Sequence, residues 1–357
     1  MATQRVDILA VGMTTPVGLS AQATAAAVRA GITRTRESTV HLSAWDGQRL
    51  GLVDERHLHP LAPALEKTAT GLSDRHRRML RLSTLAFREL LATWKPSAPP
   101  PLMLALPEPP PQGMMDPVGP GFLAHLGQQT GVGFDAGKSR VFRQGRAGGL
   151  LALEAALALL ASRQVDCAYV GGVDTYLDLG LLGRLDVEER LLSEGRAEGL
   201  IPGEGAAFLL LTTPKHTQSL GLEPLAHLLG TGTGREKGHL YSDSPHLGEG
   251  LTDSLHTLFA TVPRELPKVE TVYAGMTGER IWGREWGIAY LRNRDRLQEK
   301  YRIEHPAEYL GDPGAALGTL MVGLAALALH KGYRKGPCLV WCGSDREERG
   351  AALVHSY

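Results

Sequence analysis

The residue types in this chain that could do chemistry are few, and their spacing withholds most of the familiar arrangements. Cys167, Cys338 and Cys342 are its three cysteines, too few for a disulfide framework and without the paired spacing of a zinc site. Cys167 and Cys338 open strand-like runs (CAYVGG and CLVWCG), and Cys342 closes one after Trp341. His305, His330 and His355 show no His-x-x-x-His or Cys/His spacing, so surface or capping roles are predicted and no metal is. Gly232 to Tyr241 is Gly-rich and polar and reads as a loop; its GTGTG run lacks the Gly-Lys-Ser/Thr of a phosphate-binding loop. Trp282, Trp286 and Tyr290 recur at helical spacing, which predicts a helix packed on core or partner rather than a cofactor box.

The composition narrows the classes further. In 357 residues there are 38 Lys+Arg against 38 Asp+Glu, giving a formal net charge of +0. Without a basic excess there is no footprint for nucleic acid or an anionic membrane surface. A hydrophobic fraction of 43% with 21% charged residues is that of a folded protein. The opening MATQRVDILAVG lacks the features of a secretory leader, and with so few cysteines a cytoplasmic setting is expected. The longest apolar run, Gly314 to Leu329, is Gly- and Ala-rich and too short to span a bilayer, so it predicts a buried helix and no membrane span.

The elements that must position any site show an internal echo. Arg146 to Asp174 (RAGGLLALEAALALLASRQVDCAYVGGVD) and Gly314 to Asp345 (GAALGTLMVGLAALALHKGYRKGPCLVWCGSD) share one order. A small-residue helix leads through a polar turn into a buried strand that starts near a cysteine and ends in Gly and Asp. Val11 to Thr14 (VGMT) and Ala274 to Thr277 (AGMT) echo each other after apolar runs. This predicts two α/β halves, residues 1–214 and 221–357, each wrapping strands and helices around a buried sheet. Leu72 to Trp94 has the spacing of an amphipathic helix. Leu102 to Leu106 predicts a short strand inside the Pro-rich stretch Pro96 to Pro111, whose flanks read as stiff surface connections.

Four segments then resemble, in order, the β-ketoacyl synthase branch of the thiolase superfamily: Ile8 to Gly18 (ILAVGMTTPVG), Val170 to Thr175 (VGGVDT), Ile201 to Leu211 (IPGEGAAFLLL) and Leu310 to Leu329 (LGDPGAALGTLMVGLAALAL). The resemblance implies an α/β thiolase-like fold, a duplicated five-layered α-β-α-β-α architecture. It also implies condensing chemistry: a cysteine at a helix N-terminus attacks an acyl thioester, and two histidines polarise the carbonyl and stabilise the carbanion left by decarboxylation.

Position by position, this sequence departs from that machinery. The cysteine turn is matched by Gln144-Gly145-Arg146-Ala147-Gly148-Gly149, which places Arg146 at the nucleophile. The histidine turns are matched by Ala274-Gly275-Met276-Thr277-Gly278 and by Gly311-Asp312-Pro313, placing Gly275 and Asp312 at the two histidines. The Gly-rich gating loop is matched by Gly343-Ser344-Asp345-Arg346-Glu347. No catalytic residue and no cofactor are therefore assigned. The Arg-Ala-Gly-Gly run is also similar to the chain-length-factor subgroup, the inactive half of a heterodimer, although that subgroup usually carries glutamine where Arg146 stands and its members are longer.

An arginine at a helix N-terminus faces the positive end of the dipole, which costs a few tenths of a kcal/mol unless an anion is near. An Arg146–Asp312 ion pair filling the old pocket is the expected arrangement; the competing expectation is that Arg146 recognises a phosphate or carboxylate. Asp174 and Glu204 are acids by type, but the matching segments imply hydrogen-bonded structural roles. The family pairs as dimers through the strand before the nucleophile turn, here Lys138, Ser139, Arg140, Val141, Phe142 and Arg143. The implied partners are a second copy or a ketosynthase-like protein, with an acyl carrier protein as a further candidate. The functional expectation is a non-catalytic homologue serving as scaffold, adaptor or partner subunit. Its alternatives are an enzyme of altered chemistry on acyl thioesters and a protein that binds an acyl chain or its carrier.

Overall fold

The computed structural model describes residues 5–37, 48–67, 71–193 and 195–356. The chain runs β1 (Val6–Thr14), α1 (Ala21–Arg29), a ribbon of β2 (Arg36–Glu37) and β3 (Arg49–Leu50), α2 (Pro63–Glu66), α3 (Asp74–Thr93), β4 (Leu102–Ala105), α4 (Phe122–Thr130), β5 (Arg140–Phe142), α5 (Gly145–Ala161), β6 (Cys167–Thr175), α6 (Leu179–Val187) and β7 (Glu204–Thr212). After α7 (Pro214–Ser219) come β8 (Ala226–Arg235), α8 (Glu249–Thr261), β9 (Val269–Ala274), α9 (Arg280–Asn293), β10 (Leu297–Glu304), α10 (Ala307–Leu310), α11 (Leu317–His330), β11 (Cys338–Gly343) and β12 (Glu348–His355).

Ten strands hydrogen-bond in the order β10-β9-β11-β12-β8-β1-β7-β6-β4-β5. Outward from the β1/β8 junction, the two directions read alike. In one, β1 and β7 and then β7 and β6 are antiparallel, while β4 is parallel to both β6 and β5. In the other, β8, β12, β11, β9 and β10 repeat those directions pair for pair. The two sets meet only where Val6–Ile8 pair with Ala226–Leu228, which leaves each free to fold over the helices between them.

Helices α5 and α11 fill that space and touch strands of both sets. Their sequences suit it: every residue from Leu317 to Leu329 is buried, so α11 has no polar face to keep wet, and ten of the α5 residues are buried, with Glu154 left exposed. Strand β7 divides its side chains accordingly, Leu209 and Leu211 facing the central layer and Phe208 and Leu210 an outer one. With both faces covered, the strand reads as a continuous apolar run. The amphipathic α3 seals the first outer face with Met79, Leu80, Leu82, Ala86, Phe87 and Leu90. On the opposite outer face, α8 and α9 pack through Leu251, Leu255, Leu258, Trp282 and Trp286. The layers are thus α-β-α-β-α.

Two local expectations are corrected. Gly232 to Arg235 belong to strand β8, not to a loop. Gly230, Gly232 and Gly234 alternate on the face that meets α8, where a Cβ on Gly232 would lie 2.1 Å from the Ser254 carbonyl oxygen and one on Gly234 2.1 Å from that of Gly250. The glycines let helix and strand backbones approach, at period two rather than as a turn. The prolines at 100, 101 and 107 are buried rather than on a surface connection, because they bracket the fully buried strand β4. No helix among the described residues is long and apolar enough to cross a membrane.

Candidate functional site

Four turns converge at one end of the central helices. Gly145, with φ of 50°, makes the tight turn into α5 that a side chain would strain, and Arg146 follows in the first turn of the helix. The Gly311–Gly314 turn before α11 is clasped by the IPGE segment: the Asp312 amide donates to the Ile201 carbonyl (2.7 Å), and the Gly203 amide to that of Asp312 (2.9 Å). The Ala315 amide beyond it donates to Asp174 (3.1 Å). The segment after β9 hangs from β11 through the Gly275 amide and the Trp341 carbonyl (2.9 Å). The β11–β12 connection supplies the fourth turn.

Arg146, 3% exposed, is held on every side. Its Nη1 lies 2.8 Å from Asp312 Oδ2, Nη2 donates to Asp345, and Nε reaches the Gly343 carbonyl at 3.3 Å. The guanidinium carbon sits 4.8 Å from the centre of a Trp282 ring. Asp312 is shared: its Oδ2 also accepts from the Tyr176 hydroxyl (2.9 Å), and its Oδ1 from the Gly314 amide (2.9 Å). Asp345 hands the chain on to Arg190, whose Nη1 and Nη2 lie 2.8 and 3.1 Å from its carboxylate. Arg190 in turn grips Glu279 through Nε (2.7 Å) and Nη2 (3.1 Å), and Tyr241 through Nη1 (2.9 Å). Glu279 closes the loop by accepting from the Trp282 indole at 3.2 Å.

The charges are mutually enforced. Burial works against the Arg146 charge, but Asp345 and Asp312 more than offset it and raise its pKa well above the ordinary value. Burial likewise opposes ionisation of Asp345, and Arg146 and Arg190 overcome it, keeping the carboxyl well below the usual range. Beside them, burial and the charge of Asp345 push Glu108 up to about 7. Its Oε1 accepts from the Asp345 amide at 3.0 Å. Burial and the neighbouring Asp312 charge raise the Tyr176 phenol well above its ordinary value, so it stays a donor.

The turn at Gly275, which the resemblance set against a histidine, is tightly packed. A Cβ on Gly275 would stand 2.9 Å from both the Cys342 Cα and the Trp341 carbonyl oxygen. No thiolate is available nearby. Burial lifts Cys167 to about 11 and Cys338 to about 12, and pushes the wholly buried Cys342 higher still. Asp174 pairs with Arg75 (2.8 Å) and accepts the Thr175 amide (2.8 Å). Glu204 accepts from Arg78 (2.6 and 2.7 Å), the Val53 amide and the Thr175 hydroxyl (both 2.7 Å). Both acids are anchors of the scaffold.

The cavity against Arg146, bounded by Glu108, Tyr176, Leu185, Tyr241 and Asp345, holds about 100 Å³, below the 300–1,000 Å³ common for ligand pockets. Outside it, sharing Arg75, Glu108, Leu181 and Arg184, lies a cleft of about 330 Å³ lined by Met114, Met115 and Val118. The strand expected at Lys138 to Arg143 is shorter, Arg140–Phe142, and ends the sheet order with only β4 beside it. Lys138 and Ser139 fold back on Asp135, and Arg143 turns inward to Asp116.

The overall backbone matches the ketosynthase from module 6 of the bacillaene synthase of Bacillus subtilis 168 with a TM-score of 0.79, covering 99% of this chain and 72% of that one at 14% identity. The chain has the ketosynthase fold. Ketosynthase-fold neighbours include a type II polyketide ketosynthase in complex with its acyl-carrier protein (TM-score 0.75, 14% identity, 99% and 100% of the two chains). The ishigamide ketosynthase/chain length factor is another (TM-score 0.74, 14% identity, 100% of each chain). No family model matches the sequence, and no curated protein does. Within this ketosynthase fold, sequence reasoning singled out Arg146, Gly275 and Asp312 and assigned no partner role to Tyr176, Arg190, Glu279 or Asp345. The Asp174/Asp345 echo and the match of Gly343 to Glu347 with the gating loop hinted at the last. Trp282, read as a packing residue, also faces the Arg146 guanidinium.

Proposed function

We propose that this chain is a non-catalytic ketosynthase-fold protein that acts as a scaffold, adaptor or partner subunit. One observation carries the reading: the residue at the head of α5 is a guanidinium locked between Asp312 and Asp345, with no room for a side chain at Gly275. The guanidinium spends donors on Asp312, Asp345 and the Gly343 carbonyl, and a protonated arginine has no lone pair with which to attack an acyl carbonyl. In this reading residues 1–214 and 221–357 are duplicated halves of a protomer that pairs through the free β5 edge, where Val141 is 39% exposed. Pairing would cover main-chain groups that otherwise invite aggregation. The partner is a second copy or a ketosynthase-like protein; the pairings of the neighbours with a chain length factor and with an acyl-carrier protein support both that and a carrier-protein contact.

The second reading, an acyl or carrier-protein binder, rests on the Met- and Arg-lined cleft outside Glu108. The experiment is incubation with acyl and malonyl carrier thioesters, alongside native mass spectrometry of the chain alone and with candidate partners. Background rates of transfer, decarboxylation and hydrolysis, with a dimer that Val141→Arg dissociates, support the scaffold. Turnover abolished by Arg146→Ala would replace it with an enzyme of altered chemistry.

A further inference from the structure

A second cluster of polar groups, none of them part of the ion network around Arg146, is drawn from the end of β8, the connection to α8 and helix α9. Glu236 follows β8 directly, His246 lies in the connection to α8, and Glu285 is on α9. One ligand-type atom from each falls within 4.8 Å of those of the other two. Glu236 is 1% and Glu285 0% exposed, and the His246 side chain is 10% exposed.

The hydrogen bonding of this cluster is incomplete in one direction. Glu285 Oε1 accepts from Arg349 Nε at 2.7 Å, but its Oε2 has no hydrogen-bond partner, and neither ring nitrogen of His246 has one. His246 Nε2 points at that oxygen from 3.5 Å, longer than the 2.7–2.9 Å of a charge-assisted bond. Glu236 is aimed by the backbone, its Oε2 taking the Gly250 amide (3.0 Å) and its Oε1 those of Gly238 (3.3 Å) and Leu247 (3.4 Å). Oε2, with one bond accepted, retains a lone pair. Buried polar atoms are rarely left unpaired, so His246 Nε2 and Glu285 Oε2, facing each other from 3.5 Å, with the Glu236 carboxylate beside them, call for a common partner.

We propose that Glu236, His246 and Glu285 form a binding site for a divalent transition-metal ion of the zinc class. An imidazole nitrogen with two carboxylates suits Zn2+ or Co2+ rather than Mg2+ or Ca2+, which prefer all-oxygen shells. The Arg349 contact on the far oxygen of Glu285 is the outer-shell anchoring that ligating carboxylates commonly have. Such an ion would tie the 236–248 connection, which carries Tyr241, to the helix that carries Trp282. The site is structural, and it stands whether or not the protein is catalytic.

The test uses the full chain, stripped with chelator and titrated with ZnCl2 and separately with CoCl2. One tightly held equivalent per chain is expected, with Co2+ showing the visible bands of a low-coordinate N/O site and Zn2+ raising the melting temperature. His246→Ala and Glu285→Gln should lose all three effects, whereas Glu249→Gln, an exposed neighbour, should keep them. Far-UV circular dichroism checks each fold, and His246→Gln replaces His246→Ala should that variant not fold. No uptake by the wild type, or uptake unchanged in the folded His246 and Glu285 variants, meaning surface histidines alone bind, overturns the assignment.

Discussion

Replacing Arg146 by methionine removes the centre of the buried network while roughly keeping its volume. Asp312 would retain the Tyr176 hydroxyl and the Gly314 amide, each at 2.9 Å, and Asp345 would retain Arg190. What is lost is a guanidinium touching both acids, the Gly343 carbonyl and the face of Trp282. Arg146 and Arg190 currently answer Asp312, Asp345 and Glu279; the variant leaves Arg190 to Asp345 and Glu279, and takes from Asp312 the guanidinium it pairs with. Removing one partner of a buried pair costs about 3–5 kcal/mol, and that range is expected at neutral pH. Arg146→Lys should fall between, since an ammonium cannot bridge two carboxylates in a fixed fork.

The pH dependence follows from Asp345. Its folded pKa lies below the ordinary 3.8 because Arg146 and Arg190 outweigh burial. Its contribution is therefore fully present above that ordinary value and is lost as pH falls through the depressed one. Without Arg146 the carboxyl rises, so the gap between wild type and Arg146→Met should widen as pH climbs from acid to neutral. Urea unfolding followed by circular dichroism at several pH values measures this. A gap under about 1 kcal/mol, or one that stays flat with pH, would refute the argument that the guanidinium is held by buried ionised acids.

Two further outcomes follow. Gly275→Ala should destabilise by about 1–3 kcal/mol in denaturant titration, because the new methyl meets backbone atoms of Trp341 and Cys342 that cannot swing aside; a neutral substitution would show that the turn is open. Glu108 is raised from 4.5 to about 7, so the fold binds its proton more tightly than the unfolded chain, and stability drains away as pH rises between those values. Glu108→Gln should remove that slope and be more stable than wild type at pH 8, by up to roughly 3 kcal/mol; parallel stability profiles for the two proteins would contradict it.

Much of the scaffold was legible because it is written in local pattern. The α3 helix announces itself by apolar spacing against charges, and α5 and α11 by being small and apolar almost all round, which only a central layer can accommodate. The paired helix-turn-strand units gave away the duplicated order of strands, since each repeats its types in sequence. The GTGTG run misled, because glycine's usual signal is a turn, and only the docking of α8 shows that the missing side chains make room for a helix.

For the site, the sequence alone supplied the residue types at three positions, arginine, glycine and aspartate, which the resemblance set against a cysteine and two histidines. It could not say what else those charges meet. Arg190, Glu279 and Tyr241 come from a loop, a helix start and a distant connection, with no spacing that links them. Their association is decided by desolvation: once Arg146 is taken out of water by the packing of two central helices, every carboxylate within reach must either pair with it or give up its charge, and that choice exists only in three dimensions.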